Sequence, residues 1–146
     1  MADPRDRFAP DPNTTERQQS ILVVESNRTD LSETAGMLRA FGYRVAEASG
    51  FDDAKRMLAG DPPDCLIAGV RLGAYNGLHL IVRAHDKHPE MASILTGNAP
   101  EPVLEADAQK QRAIYLIRPW RSQDFLRALT GLLTQAVDAA PRPASS

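Results

Sequence analysis

Few residues of this 146-residue chain combine a reactive type with a suggestive spacing. Glu25-Ser26, Gly69, Thr96-Gly97 and Arg118-Pro119-Trp120 each follow or close an apolar run. Glu25 has two readings: a solvated carboxylate at a strand end, or one half of an ion pair with Arg118. Thr96 reads as a cap for the loop after its strand, and Tyr115 as a half-buried edge residue. Trp120, the sole tryptophan, reads as core packing, or more sharply as an anchor for a partner. His85 and His88 stand three apart, a spacing that can hold a metal on a helix. No carboxylate or third histidine joins them, so helix-end histidines that favour the dipole are the better reading, and no metal is expected. Cys65 opens an apolar run and reads as an inert core thiol. The fragment TGNAP lacks the second glycine and the Lys-Ser/Thr of a phosphate loop. With no nucleophile–base pair and no cofactor loop, neither catalysis nor a cofactor is expected.

These residues need a scaffold, and the pattern between them supplies one. ILVVE (21–25), CLIAG (65–69), MASIL (91–95) and IYLI (114–117) are short apolar runs suited to buried strands, while YRVAEA (43–48) alternates like a half-exposed one. Leu31, Ala35, Leu38 and Phe41 recur at helical spacing; Asn27, Thr29 or Asp30 can cap that helix and Gly42 stops it. Phe51–Leu58 predicts a second helix, and Leu78–His85 a third that ends before Pro89. Residues 100–111 predict a weak fourth helix, with Val103 and Leu104 as its large apolar residues. A fifth, capped by Ser122, carries Phe125, Leu126, Leu129, Leu132, Leu133 and Val137 on one stripe. Residues 70–77 read as a loop with Gly73 and Gly77. Five strands alternating with five helices predict an α/β fold: a flavodoxin-like, doubly wound (βα)5 sandwich whose five-stranded parallel sheet is covered on both faces. Its crevice belongs at the carboxyl ends of the strands.

Composition narrows the rest. Seventeen Lys and Arg against nineteen Asp and Glu leave a net charge of −2, which argues against non-specific nucleic-acid binding. No apolar run approaches membrane-spanning length and no secretory signal opens the chain, so a cytoplasmic setting is expected. Proline-rich ends predict flexible arms at 1–18 and 138–146 around one domain at 19–137.

Taken together, the strand-end motifs resemble the receiver domains of bacterial two-component response regulators (CheY-like). ILVVESN is similar to their ILVVDDN, and PDCLIAGVRLGAYNGLHLI to PDLVLLDVRLPGMNGLELI. LTGNAP is similar to LTGHGD, and YLIRPW to YLVKPF. The four motifs stand in order over nearly the whole folded unit. The resemblance implies phosphoryl transfer from a histidine kinase to an aspartate closing the third strand. An acidic pair would hold Mg²⁺, and a Thr or Ser and a Lys would bind the phosphoryl oxygens.

Matched residue by residue, this chain departs at the centre. Gly69 stands at the phospho-acceptor position and is non-functional there, having no side chain. Glu25 and Ser26 stand at the acidic pair, a degenerate metal site with one carboxylate. Thr96 matches the switch hydroxyl, Tyr115 the aromatic that moves with it, and Arg118 the lysine. Pro119 matches a proline that commonly follows a cis bond in this family. Gly77 matches the glycine opening the third helix. Asp64, at the other end of its strand and roughly 17 Å away, cannot replace the acceptor.

The expectation is a stand-alone degenerate receiver, or pseudo-receiver. It would act in signal transduction by binding a histidine kinase or another signalling protein, or by forming a homodimer, without phosphorylation. Tyr115, Trp120 and Arg121 are its candidate partner face. The alternative is a sensor that binds a small molecule or anion in the crevice.

Overall fold

The computed structural model describes residues 18–139. Most residues of the expected arms, 1–17 and 140–146, lie outside it. Residues 138 and 139, assigned to the tail, instead belong to the last helix, which runs to Ala139.

Strand β1 (Ser20–Val24) forms where four branched aliphatic residues in a row leave no polar face, which suits a strand covered on both sides. It is followed by α1 (Arg28–Ala40), β2 (Arg44–Ala48), α2 (Phe51–Gly60) and β3 (Cys65–Gly69). The Asn27 side chain caps α1 by accepting a hydrogen bond from the Asp30 amide at 3.0 Å. Gly42, at φ +94°, ends that helix in the left-handed conformation glycine tolerates. The Gly42 and Tyr43 amides then donate back to Arg39 O and Leu38 O.

Residues 70–77 are not a plain loop. Arg71–Leu72 (β4) and Tyr75–Asn76 (β5) pair antiparallel as a miniature hairpin, with Gly73 at φ +68° in its turn. The hairpin holds because Tyr75 stacks on Phe51, ring centroids 4.4 Å apart, with His79 edge-on to both. Two residues per strand are too few to show a period in sequence.

Helix α3 (Gly77–Lys87) is capped by the Asn76 side chain, which accepts from the His79 amide at 2.8 Å. Strand β6 (Ala92–Gly97) runs two residues further than expected, so Thr96 and Gly97 lie inside it. Helix α4 (Pro102–Lys110), strand β7 (Ile114–Ile117) and helix α5 (Ser122–Ala139) complete the chain. Ser122 is the first residue of α5 rather than its cap.

The five long strands form one parallel sheet in the order β2-β1-β3-β6-β7, the expected doubly wound architecture. Side chains alternate across it. Leu22, Val24, Leu66, Ala68 and Leu95 face the core built with α2, α3 and α4. Ile21, Val23, Cys65, Ile67 and Ile94 face the core built with α1 and α5. At the β2 edge, Arg39 donates to the Val45 carbonyl at 3.0 Å and pairs with Glu47 at 2.7 Å.

Candidate functional site

Parallel pairing brings four strand ends to one side of the sheet. Gly69 on β3 is level with Thr96 on β6, and Thr96 and Gly97 are level with Leu116 and Ile117 on β7. Glu25 follows β1 directly and is anchored by its amide, which donates to Ala48 O at 3.1 Å. Arg118 follows β7, its amide donating to Gly97 O at 2.8 Å.

The Glu25 side chain is not solvated; the residue is 4% exposed. Its Oε2 accepts from the Thr96 hydroxyl at 2.6 Å and from the Arg118 guanidinium. The ion-pair reading of Glu25 therefore holds. The cap reading of Thr96 fails, since its hydroxyl reaches across the sheet instead. Two further partners of Arg118 carried no sequence signal. Its Nε stands 3.6 Å from Asp30, and its guanidinium lies 4.6 Å from the centre of the Trp120 ring. Asp30 reads in sequence only as a capping residue, because its second contact lies 88 positions downstream. The buried carboxylate is thus paired with a guanidinium that a second, less buried carboxylate and an aromatic face brace from behind.

Gly69 gains its significance from Glu25. A Cβ at position 69 would overlap Glu25 Oε1 and stand 2.9 Å from the carboxyl carbon. Glu25 thus fills the space into which a side chain on residue 69 would project. Gly97 has the same role on the neighbouring strand. A Cβ there would stand 2.9 Å from Tyr115 Cε1 and Cζ, so the tyrosine ring can lie on it. The Tyr115 hydroxyl donates to Ala99 O at 2.6 Å, joining β7 to the segment that leads into α4. Tyr115 is half-buried on an edge strand, as expected. Burial, and then the negative charges of Glu101 and Glu105, push its phenol above the ordinary range, against the opposing pull of Arg71. Gly77 opens α3 tightly against β3: a Cβ on it would meet Gly69 O and stand 2.9 Å from Leu95 Cδ1.

Ser26 turns away from Glu25, its hydroxyl donating to the Arg71 carbonyl at 2.9 Å and tying the β4–β5 hairpin to β1. This donor set does not suit Mg²⁺, which asks for several unencumbered oxygens in an octahedron. The one carboxylate is engaged by a cation, and the hydroxyl is engaged elsewhere. Among the described residues no three His, Cys, Asp or Glu side chains converge as a metal site. A cleft of about 260 Å³ opens directly onto this cluster: Glu25, Thr96 and Arg118 line it, together with Asp30, Arg71 and Glu101 among others. Every buried side-chain nitrogen and oxygen among the described residues has a partner.

The other expected residues fall in place around this centre. Arg118–Pro119 is a cis peptide. Trp120 is half-buried against Phe125, centroids 4.8 Å apart, and joins the α1–α5 core. Tyr115 packs against the opposite core and is half-buried, and Arg121 is exposed. His85 lies in the last turn of α3, where its Nε2 is 3.0 Å from Met91 O and 2.9 Å from Ser93 Oγ. Cys65 is fully buried, its thiol pushed up by burial and by the nearby Asp64 charge. Asp64 sits at the far end of β3, accepting from the Ser20 amide at 2.8 Å.

No protein-family model matches the chain. Two curated relatives from Pseudomonas aeruginosa are each 30% identical over 115 residues. The positive alginate biosynthesis regulatory protein is matched over 75% of this chain and 45% of its own length. The alginate biosynthesis transcriptional regulatory protein AlgB is matched over 78% of this chain and 25% of its own length. The chain therefore spans less than half of either. Among solved structures, the signal receiver domain of an HD domain-containing protein from Pseudomonas fluorescens is 28% identical. It aligns with a TM-score of 0.78 over 84% of this chain and 99% of that one. A CheY-like response regulator receiver domain protein from Methanospirillum hungatei aligns with a TM-score of 0.79 at 19% identity, over 85% of this chain and all of that one. Residues 18–139 form a response-regulator receiver domain of the CheY-like kind.

Proposed function

We propose that this receiver domain is a degenerate one, signalling through protein–protein contacts without aspartyl phosphorylation. One observation carries the reading: position 69 has no side chain, and the Glu25 carboxylate fills the space such a side chain would enter. A phosphoryl acceptor needs a nucleophile open to its donor. The carboxylate that does point into the crevice, Glu25, is buried and bound by Thr96 and Arg118. The same engagement argues against Mg²⁺ chemistry and against catalysis.

The alternative, an anion or metabolite sensor in the crevice, is less favoured. Its two best donors, Thr96 and Arg118, already serve an internal carboxylate. The partner would be a histidine kinase, another signalling protein or a second copy of the chain. We place the docking face along α4, β7 and the start of α5. There α4 buries only Ala108, Val103 is 78% exposed, and Arg121 is open to solvent.

Incubation with acetyl phosphate and Mg²⁺, followed by intact-mass measurement, is expected to leave the chain unmodified. A gain of one acid- and base-labile phosphate within the crevice would overturn the reading. Tyr115→Ala combined with Arg121→Glu is expected to weaken self-association, or binding to a partner captured by pull-down, while circular dichroism stays native. Unchanged affinity and oligomeric state would move the docking face elsewhere.

A further inference from the structure

We infer that Glu25 is a built-in ligand of the crevice: its carboxylate, held by Thr96 and Arg118, sets the position of the segment between β6 and α4. This deepens the reading above and rests on it in one respect, that no phosphoryl group enters the site.

A continuous set of contacts links the two. Glu25 Oε2 holds the Thr96 hydroxyl at 2.6 Å. Thr96 is followed by Gly97, the residue on which the Tyr115 ring rests. The Tyr115 hydroxyl holds Ala99 O at 2.6 Å, two residues before Glu101, the N-cap of α4. Glu101 has no side-chain capping bond, and α4 fully buries only Ala108 with Leu104 partly buried beside it, so few contacts other than this one fix where the helix begins. From the other side, Arg118 is braced by Asp30 on α1 and by Trp120, so it presents its charge to Glu25 from a fixed direction. The ends of three strands thus meet at a single carboxylate, and α1 braces its cation.

The two glycines are the complement of this arrangement. Gly69 leaves room for the Glu25 carboxyl and Gly97 leaves room for the Tyr115 ring. A bound anion in such a crevice would be subject to concentration and exchange. A carboxylate on the chain itself is always present, so one arrangement of the β6–α4 segment stays populated without an input. Since that segment adjoins the proposed docking face, Glu25 would keep the face in a binding-ready form.

The test is hydrogen exchange by mass spectrometry on the full chain, comparing residues 98–110 with α2 as internal reference. Glu25→Ala is expected to speed exchange in 98–110 by about tenfold or more while α2 changes little. Excess acetate, offering a free carboxylate to Thr96 and Arg118, is expected to restore some of the protection; chloride at equal ionic strength is not. Unchanged exchange, a uniform rise across the chain, or selective loss that acetate does not reverse would each overturn the inference. If Glu25→Ala does not fold, Tyr115→Phe decides. Loss of its hydroxyl should speed exchange in 98–110 alone, and no change there would overturn the inference. The acetyl phosphate experiment is independent: a labelled wild-type chain would break the proposed function, whatever these variants do.

Discussion

The crevice and helix α4 are neighbours built to opposite rules. In the crevice, Glu25 and Thr96 are 4% and 1% exposed, and their polar atoms are paired across strands far apart in sequence. Helix α4 buries Ala108 alone, turns Val103 outward and lacks a side-chain cap. Its C-terminus runs into Arg112, a non-glycine residue at φ +58°, where α1 has Gly42. Specificity of geometry sits in the crevice. Buried, paired charges tolerate one geometry, because every displacement leaves a charge uncompensated. A helix held by Ala108, a partly buried Leu104 and a neighbouring tyrosine can shift at lower cost.

The largest effect should come from splitting the crevice pair. Arg118→Ala leaves the Glu25 carboxylate buried with Thr96 as its remaining donor. A loss of about 3 kcal/mol in urea unfolding is expected. A loss below about 0.5 kcal/mol would show that the crevice is as pliable as α4. Next comes the steric partner of that pair. Gly69→Ala forces a methyl onto Glu25 Oε1 and is expected to cost about 2 kcal/mol. Most of this should return in the Glu25→Ala background, where the methyl has room; additive losses would mean the two positions are not one steric unit.

On the α4 side the sign reverses. Arg112→Gly relieves the left-handed backbone and is expected to stabilise by about 0.5–1 kcal/mol in thermal unfolding, with the crevice unaffected. Destabilisation would show that the arginine side chain holds α4 in some other way. The smallest effect is electrostatic. Tyr115 should ionise above the ordinary tyrosine value of 10.0. Its folded form keeps the proton longer than its unfolded form. The stability this contributes is present below about pH 10 and lost as pH rises through the folded value. Ultraviolet titration should find one late tyrosine, which Glu101→Gln moves back down; Tyr115 ionising with the others would remove Glu101 from its surroundings.

The sheet was legible because burial on both faces leaves a strand no polar period to hide in: ILVV and CLIA announce themselves. Boundaries drifted where chemistry began, so Glu25 falls just outside β1 and Thr96 just inside β6. The miniature hairpin escaped because two residues cannot display an alternation, and its real support is the stack of Tyr75 on Phe51. At the site, residue types and positions were readable, but not which atoms meet. The Glu25–Arg118 pair spans 93 residues and was one of two open readings. Asp30 gave no sign of its second contact. Trp120 and Tyr115 look adjacent in sequence terms, yet they pack into cores on opposite faces of the sheet.

The Arg39 contacts at the β2 edge bear on how this protein behaves in company. An edge strand offers free carbonyls and amides as a template on which an unfolded chain can zip up, the first step of fibril growth. By donating to the Val45 carbonyl and holding Glu47 beside it, Arg39 closes that template with a charge on each side. Arg39→Ala should therefore leave signalling contacts intact while shortening the lag before aggregation at high concentration. Arg39 guards the sheet against its own copies.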